Sequence, residues 1–251
     1  MILQGYSGSE LGLLVYKQGK KASVQREKHE YFLKKHFESF KVPLLFPYGE
    51  EYLYSYIDGC DALSMLLNEE IDYEKLANKI VSVIKELAKE KQCFLDSLCY
   101  NTSAECIFNK LAANGIDWKL AGKISSIINL PVTLSHGDLT FDNILLVNNS
   151  CDDVYLIDFL PLFYPSYFLD IAKLFQDIDG NWTQIRYNKE FPKKAKNIIR
   201  EIIWDSLPEE YKVQHNALMV VSFARILPYA KNECDRNMIK KEIERFLEKI
   251  N

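Results

Sequence analysis

The chain has 251 residues, 48% of them apolar and 26% charged, with a formal net charge of −4. That is globular composition, long enough for one large domain or two lobes, and it excludes a disordered chain. The acidic balance gives no electrostatic case for nucleic acid, which calls for a basic face. The basic runs at Lys17–Lys21 and Lys193–Lys196 read as solvated faces.

No apolar run approaches the roughly 18 residues that would cross a membrane, so no membrane span is expected. The start, Met-Ile-Leu-Gln-Gly-Tyr, has no signal-peptide pattern. The six cysteines form no Cys-x-x-Cys pair and match neither a zinc site nor a dense disulfide frame. Free thiols in a reducing cytoplasm are expected.

Residues 1–57 read as a small α+β unit. Met1–Leu3 opens a strand, Gly5-Tyr-Ser-Gly-Ser-Glu10 is a turn, and Leu11–Lys17 is a second strand. Gln18-Gly19 resembles a hairpin turn leading to a short third strand at Lys20–Val24. A helical pattern follows from Gln25 to Phe40. Val42–Phe46 and Glu51–Ile57 read as strands about a Pro-Tyr-Gly turn. Asp58-Gly59 marks the boundary to a second unit, 58–251, that is mostly helical.

In that second unit Ile71–Leu95 carries Leu76, Ile80, Val83, Ile84 and Leu87 at helical spacing. Thr102-Ser-Ala-Glu105 is a capping box, and Gly115 ends its helix. Pro131–Leu134, Ile144–Val147 and Val154–Ile157 read as short strands, with a polar turn at 148–153. Helices are expected over 189–206, 209–228 and 233–250.

The chemistry concentrates in His136-Gly-Asp-Leu139, Asn143-Ile-Leu145 and Ile157-Asp-Phe159. A strand runs into a turn at Gly137, and Asp138 emerges from it. Asn143 follows after four intervening residues, and the next hairpin returns at Asp158. A hairpin this short brings its ends together. A carboxylate that orients a hydroxyl, with an amide and a carboxylate for a metal, is the set that phosphoryl transfer needs. Mg²⁺ accepts such oxygen ligands and keeps waters and phosphates in its shell. His136 reads as a loop-bracing imidazole rather than a reacting group.

These motifs resemble the signature of aminoglycoside phosphotransferase and choline-kinase-like enzymes. The resemblance implies the bilobal protein-kinase-like fold, α+β, with a small, shortened antiparallel-sheet lobe and a larger helical lobe. It implies Asp138 as catalytic base, Asn143 and Asp158 as Mg²⁺ ligands, and Asp170 as a supporting carboxylate with His136. It makes ATP the donor, with Gly5, Ser7, Gly8 and Ser9 over the phosphates. Ser55 and Ile57 would bond adenine, with Tyr54 beside the base. The usual lysine–glutamate pair is assigned to Lys21 and Glu27, with Lys17 and Arg26 as competing cations and Glu30 as a competing carboxylate.

Gly before Asp138, Leu160 after Phe159 and the lack of an Ala-Pro-Glu sequence argue against a protein kinase. The acceptor is expected to be a small molecule with a hydroxyl: a sugar, an amino alcohol or an aminoglycoside. Asp177, Asp179 and Trp182 are its candidate contacts. Ile157–Leu160 and Leu169–Asp177 resemble a bacterial branch associated with surface polysaccharide, which favours a sugar. The alternative is a nucleotide-binding scaffold that has lost activity.

Overall fold

The computed structural model describes residues 2–7, 10–19, 22–90 and 102–250, with side chains from Leu13 onward. The first unit is built on an antiparallel sheet. β1 (Ile2–Ser7) and β2 (Glu10–Lys17) form a hairpin, and β3 (Leu45–Tyr48) and β4 (Glu51–Ser55) form another. The strand order is β1-β2-β4-β3, with Leu14 opposite Ser55 and Phe46 opposite Leu53.

Of the third strand expected at Lys20–Val24, Ala22–Val24 are helical, and Lys20 and Lys21 lie outside the described residues. The chain passes from β2 through Gly19 into helix α1 (Ala22–Leu33), whose first turn is closed by the Ala22 N–H on the Gly19 carbonyl at 2.9 Å. Burial explains the outcome: Ala22, Lys28, His29 and Phe32 face inward, with seven residues from Ala22 to His29, four from Lys28 to Phe32 and three from His29 to Phe32, a helical period. Tyr52 and Tyr54, on alternate positions of β4, are both buried beside Ala22.

A second, three-stranded sheet holds the loop region. β5 (Cys60–Asp61), β6 (Ile144–Leu146) and β7 (Val154–Leu156) pair antiparallel in that order. Lys41, from the segment after α1, adds alongside β7: its N–H donates to the Val154 carbonyl at 2.7 Å and its carbonyl accepts the Leu156 N–H at 3.0 Å. Pro131–Leu134, expected as a strand, is not in a sheet. Its N–H groups go to single carbonyls, Thr133 to Pro165 and Leu134 to Glu90.

The helices are α2 (Ala62–Leu67), α3 (Tyr73–Lys89), α4 (Ser103–Ala113) and α5 (Trp118–Ile127), followed beyond the second sheet by α6 (Tyr167–Ile178). Next come α7 (Trp182–Tyr187), α8 (Lys193–Ser206), α9 (Glu209–Lys212), α10 (His215–Ile226) and α11 (Glu233–Leu247). The helix expected over 209–228 is thus split at Val213-Gln214. Thr102 caps α4 through its hydroxyl to the Glu105 N–H, as its capping box predicts.

α3 buries Leu76, Ile80, Val83, Ile84 and Leu87, each contributing about 1.5–3 kcal/mol through burial. α6 is buried from Phe168 to Ile178 and packs on α10, α8 and α3. That central position makes its polar residues, Asp170, Lys173 and Asp177, groups that must find partners inside the protein.

Candidate active site

The loop from Ser135 to Asn143 is held by one carboxylate. Asp170, in the first turn of α6, is buried, and its two oxygens accept the backbone N–H groups of His136 (2.6 Å) and Gly137 (2.7 Å). Burial raises its pKa to about 6 against the opposing pull of Lys28 and the two N–H donors. The Leu160 N–H donates to the His136 carbonyl at 3.0 Å, stitching the loop to the segment after Asp158.

Gly137 has φ +95°, and a Cβ there would collide with the Leu160 carbonyl oxygen and stand 3.1 Å from Lys28 Nζ. Only glycine fits that backbone and that approach. Lys28 reaches in from α1 and donates to the same Leu160 carbonyl at 2.5 Å. Its pKa falls to about 8, because burial outweighs the stabilising charge of Asp170 and is assisted by Arg225. His136 is buried against Phe159, with ring centroids 4.6 Å apart, and its Nδ1 accepts the Asp138 N–H at 3.2 Å. Burial and the Lys28 charge hold His136 down at about 4, so it is neutral and acts on backbone orientation.

Asp138 stands at the end of this braced loop. Lys173, one turn after Asp170 on α6, places its ammonium 3.0 Å from Asp138 Oδ1. Burial alone would raise the Asp138 pKa. The charge and hydrogen bond of Lys173, helped by His136 and Arg225, outweigh it and hold the carboxyl below its ordinary value. Asn143, at the end of a 3₁₀ turn (Phe141–Asn143), donates through Nδ2 to the Asp138 carbonyl at 2.8 Å and to Oδ2 at 3.3 Å. No described group donates to Asn143 Oδ1, so that oxygen is available as a ligand.

Asp158 is brought to the same place by the β6–β7 pairing and by the Ile157 N–H, which donates to the Asn143 carbonyl at 3.1 Å. Asp158 itself has φ +61°, a conformation L-residues adopt reluctantly and often at functional sites. Its Oδ1 receives the Lys17 ammonium at 2.5 Å and the Tyr54 hydroxyl at 3.3 Å. Tyr54 therefore points at Asp158, and Lys17 also lies 5.9 Å from its ring centroid. The chemistry fits a divalent cation: Asn143 and Asp158, at the same end of the β6–β7 pair, offer an amide oxygen and a carboxylate, both hard oxygen donors.

The remaining sequence expectations fare unevenly. Gly5 and Ser7 lie in β1, opposite Gly12 and Glu10, rather than in a turn, while Gly8, Ser9 and Lys21 lie outside the described residues. Glu27 is exposed on α1, and Glu30 approaches Arg26 at 3.5 Å. The inward positions of α1 are Lys28 and His29, so no carboxylate of this helix faces Lys17. Ser55 has spent its N–H on the Leu44 carbonyl at 2.8 Å, which removes that donor from a base. Ile57 is half-buried in the segment between the two sheets.

Of the acceptor candidates, Asp177 is buried, accepts the Thr183 hydroxyl at 2.5 Å and is pushed up to about 7 by burial. Asp179 ends α6 and is clamped by Arg200 (2.8 Å) and His215 (3.4 Å), an engagement that leaves it structural. Trp182 opens α7 and lines a surface cavity. Three residues escaped the sequence reading: Lys28, Lys173 and Arg225. Each is a cation on a predominantly apolar helix face, and that anomaly was the available signal.

No protein-family profile matches the chain, and no curated protein matches it in sequence. Solved structures do match. The streptomycin-ATP-APH(2")-IIa ternary complex aligns with a TM-score of 0.57 at 17% identity, over 99% of this chain and 91% of that one. A Plasmodium vivax ethanolamine kinase aligns with a TM-score of 0.64 at 14% identity, over 98% and 78%. A choline kinase from Cryptosporidium parvum Iowa II aligns with a TM-score of 0.51 at 14% identity, over 99% and 88%. With a small antiparallel sheet, a helical larger part and a full-length match to these enzymes, the chain has the protein-kinase-like fold of the aminoglycoside phosphotransferases and choline/ethanolamine kinases.

Proposed function

We propose that this protein is an ATP-dependent phosphotransferase that acts on a hydroxyl of a small molecule. The observation that carries the reading is the convergence of Asp138, Asn143 and Asp158 through the Asn143 Nδ2 bonds and the Ile157–Asn143 backbone bond. Asp138, kept ionised by Lys173 on Oδ1, has Oδ2 to receive an acceptor hydroxyl. As the acceptor oxygen bonds to the γ-phosphorus, the bond from that phosphorus to the ADP oxygen breaks. The hydroxyl proton passes to the Asp138 carboxylate.

Asn143 and Asp158 would hold Mg²⁺, which supplies charge neutralisation for the phosphate oxygens. Lys17, the cation at Asp158, is assigned to the nucleotide phosphates in place of Lys21. Most of the rate enhancement comes from positioning and from fixed charge. A cytoplasmic site of action suits an ATP-consuming enzyme with free thiols at Cys60, Cys151 and Cys234.

A second reading, a nucleotide-binding scaffold without transfer, draws on one observation: α1 offers no inward carboxylate to hold Lys17 away from Asp158. Incubation with Mg-ATP and a panel of sugars, amino alcohols and aminoglycosides separates the two. Phosphorylated product detected by mass spectrometry, and lost in Asp138→Asn, supports the transferase. Mg-ATP binding without product across the panel supports the scaffold.

A further inference from the structure

The carboxylates on the acceptor side are already engaged. Asp177 is buried on Thr183, and Asp179 is clamped by Arg200 and His215. Asp142, in the 3₁₀ turn that carries Asn143, accepts the Tyr187 hydroxyl at 2.7 Å and has Arg186 at 3.9 Å. An ammonium-bearing acceptor would have to break one of these arrangements or rely on Asp235 alone for a counter-charge.

The cations are less engaged. Arg225, near the end of α10, has no described carboxylate within ion-pair range and lies over the Phe163 ring, 5.6 Å from its centroid. Its charge acts on Asp138 and Asp170 and is met in turn by Tyr229. Lys231 also lacks a described ion-pair partner. Arg186 lies 6.0 Å from the Trp182 ring and 5.2 Å from the Tyr187 ring, which holds its planar guanidinium in place beside the Asp142 contact.

Arg186 and Lys231 line one cavity of about 240 Å³, together with Trp182, Tyr229 and Asp235 among others. It lies below the size range of pockets for drug-sized ligands, and its walls combine aromatic faces with a few polar groups, as small-ligand sites do. Two cations meet one carboxylate there. Arg186 connects it to Asp142, four residues beyond Asp138. A guanidinium fork matches carboxylate and phosphate oxygens in pairs.

We infer that the acceptor is a single-ring sugar or similar polyol bearing a carboxylate or phosphate, lying against Trp182 and Tyr229 with its anionic group on Arg186 and Lys231. The inference rests on the phosphotransferase reading and names its substrate class. A polycationic acceptor meets Arg186 and Lys231 with Asp235 as the one carboxylate among the lining residues, so like-charge repulsion selects against it.

The test uses the full chain with excess Mg-ATP and four probes: glucuronic acid, glucose 6-phosphate, glucose and glucosamine. The expected kcat/KM is at least about tenfold higher for an anionic probe than for glucose, and lowest for glucosamine, a difference of one desolvated charge contact. Arg186→Gln should bring the anionic-to-neutral ratio close to one. Preference for glucosamine, or a ratio indifferent to charge and to Arg186, overturns the inference. A binding arm, the quenching of the Trp182 fluorescence isolated by comparison with Trp182→Phe, reads the cavity without turnover. Salt-sensitive quenching by the anionic probes that Arg186→Gln abolishes, with no product formed, keeps the cavity assignment and counts against the transferase reading. No anion-dependent quenching overturns the inference itself.

Discussion

Lys173 Nζ stands 3.0 Å from Asp138 Oδ1, so the carboxylate assigned as base has one oxygen fixed by a cation and the other turned to the Asn143 amide. Asp138→Asn keeps the shape and removes the charge that Lys173 balances. Turnover should fall by roughly 10²–10⁴-fold, the range for loss of a general base. Mg-ATP affinity, measured by equilibrium titration, should stay within a few-fold. Lost binding with unchanged turnover would contradict the assignment.

Asp158→Ala removes the group that meets Lys17 and Tyr54 and the carboxylate assigned with Asn143 to the metal. Nucleotide binding should lose its dependence on Mg²⁺. A titration of nucleotide with and without EDTA reads this directly, and a variant with parental Mg²⁺ dependence would show that Asp158 is not a ligand.

Asp170→Asn presents one oxygen where two backbone N–H groups need acceptors, and its amide NH₂ faces one of those donors. The expected cost is about 1–3 kcal/mol for a buried group left without its partner. Urea unfolding should show a lower midpoint, and turnover should drop because His136 and Gly137 position Asp138. An unchanged midpoint and rate would mean the loop is held by other contacts.

Asp177 gives a pH signature. Burial raises its folded pKa to about 7, whereas an unfolded aspartate titrates near its ordinary value of about 3.9. Between those two values the folded state binds more protons than the unfolded state, so this residue makes stability fall as pH rises from about 4 to about 7. Asp177→Asn removes that dependence while keeping an oxygen for the Thr183 hydroxyl. The stability difference, variant minus parent, should therefore grow across that window and favour the variant at pH 7 by about 1 kcal/mol or more. A difference independent of pH would rule out a buried, proton-binding Asp177.

The central motif was legible because it is local. Asp138 and Asn143 share one loop, Asp158 returns on the next hairpin, and sheet pairing over so few residues leaves few alternative geometries. Asp170 was legible through its resemblance to a known pattern, although its two backbone acceptors appear only in three dimensions. The capping box at Thr102 and the apolar period of α3 were readable for the same local reason. The stretch after Lys17 was misread: polar residues near a Gln-Gly pair suggest a hairpin, but burial of Ala22, Lys28, His29 and Phe32 selects a helix. The choice of cation had no local feature to rank Lys17, Lys21 and Arg26; the structure sets Lys17 beside Asp158, while Lys21 lies outside the described residues.

By itself the sequence determined that Asp138, Asn143 and Asp158 come together, because groups at such short separations depend on backbone geometry within one loop and hairpin. Only the tertiary structure decided which charges are spent. Asp179 is locked by Arg200 from α8 and His215 from α10, Asp177 is neutralised by burial, and Lys28 crosses from α1 to the Leu160 carbonyl. A side chain's availability is set by desolvation and by partners far away in sequence, neither of which spacing along the chain encodes.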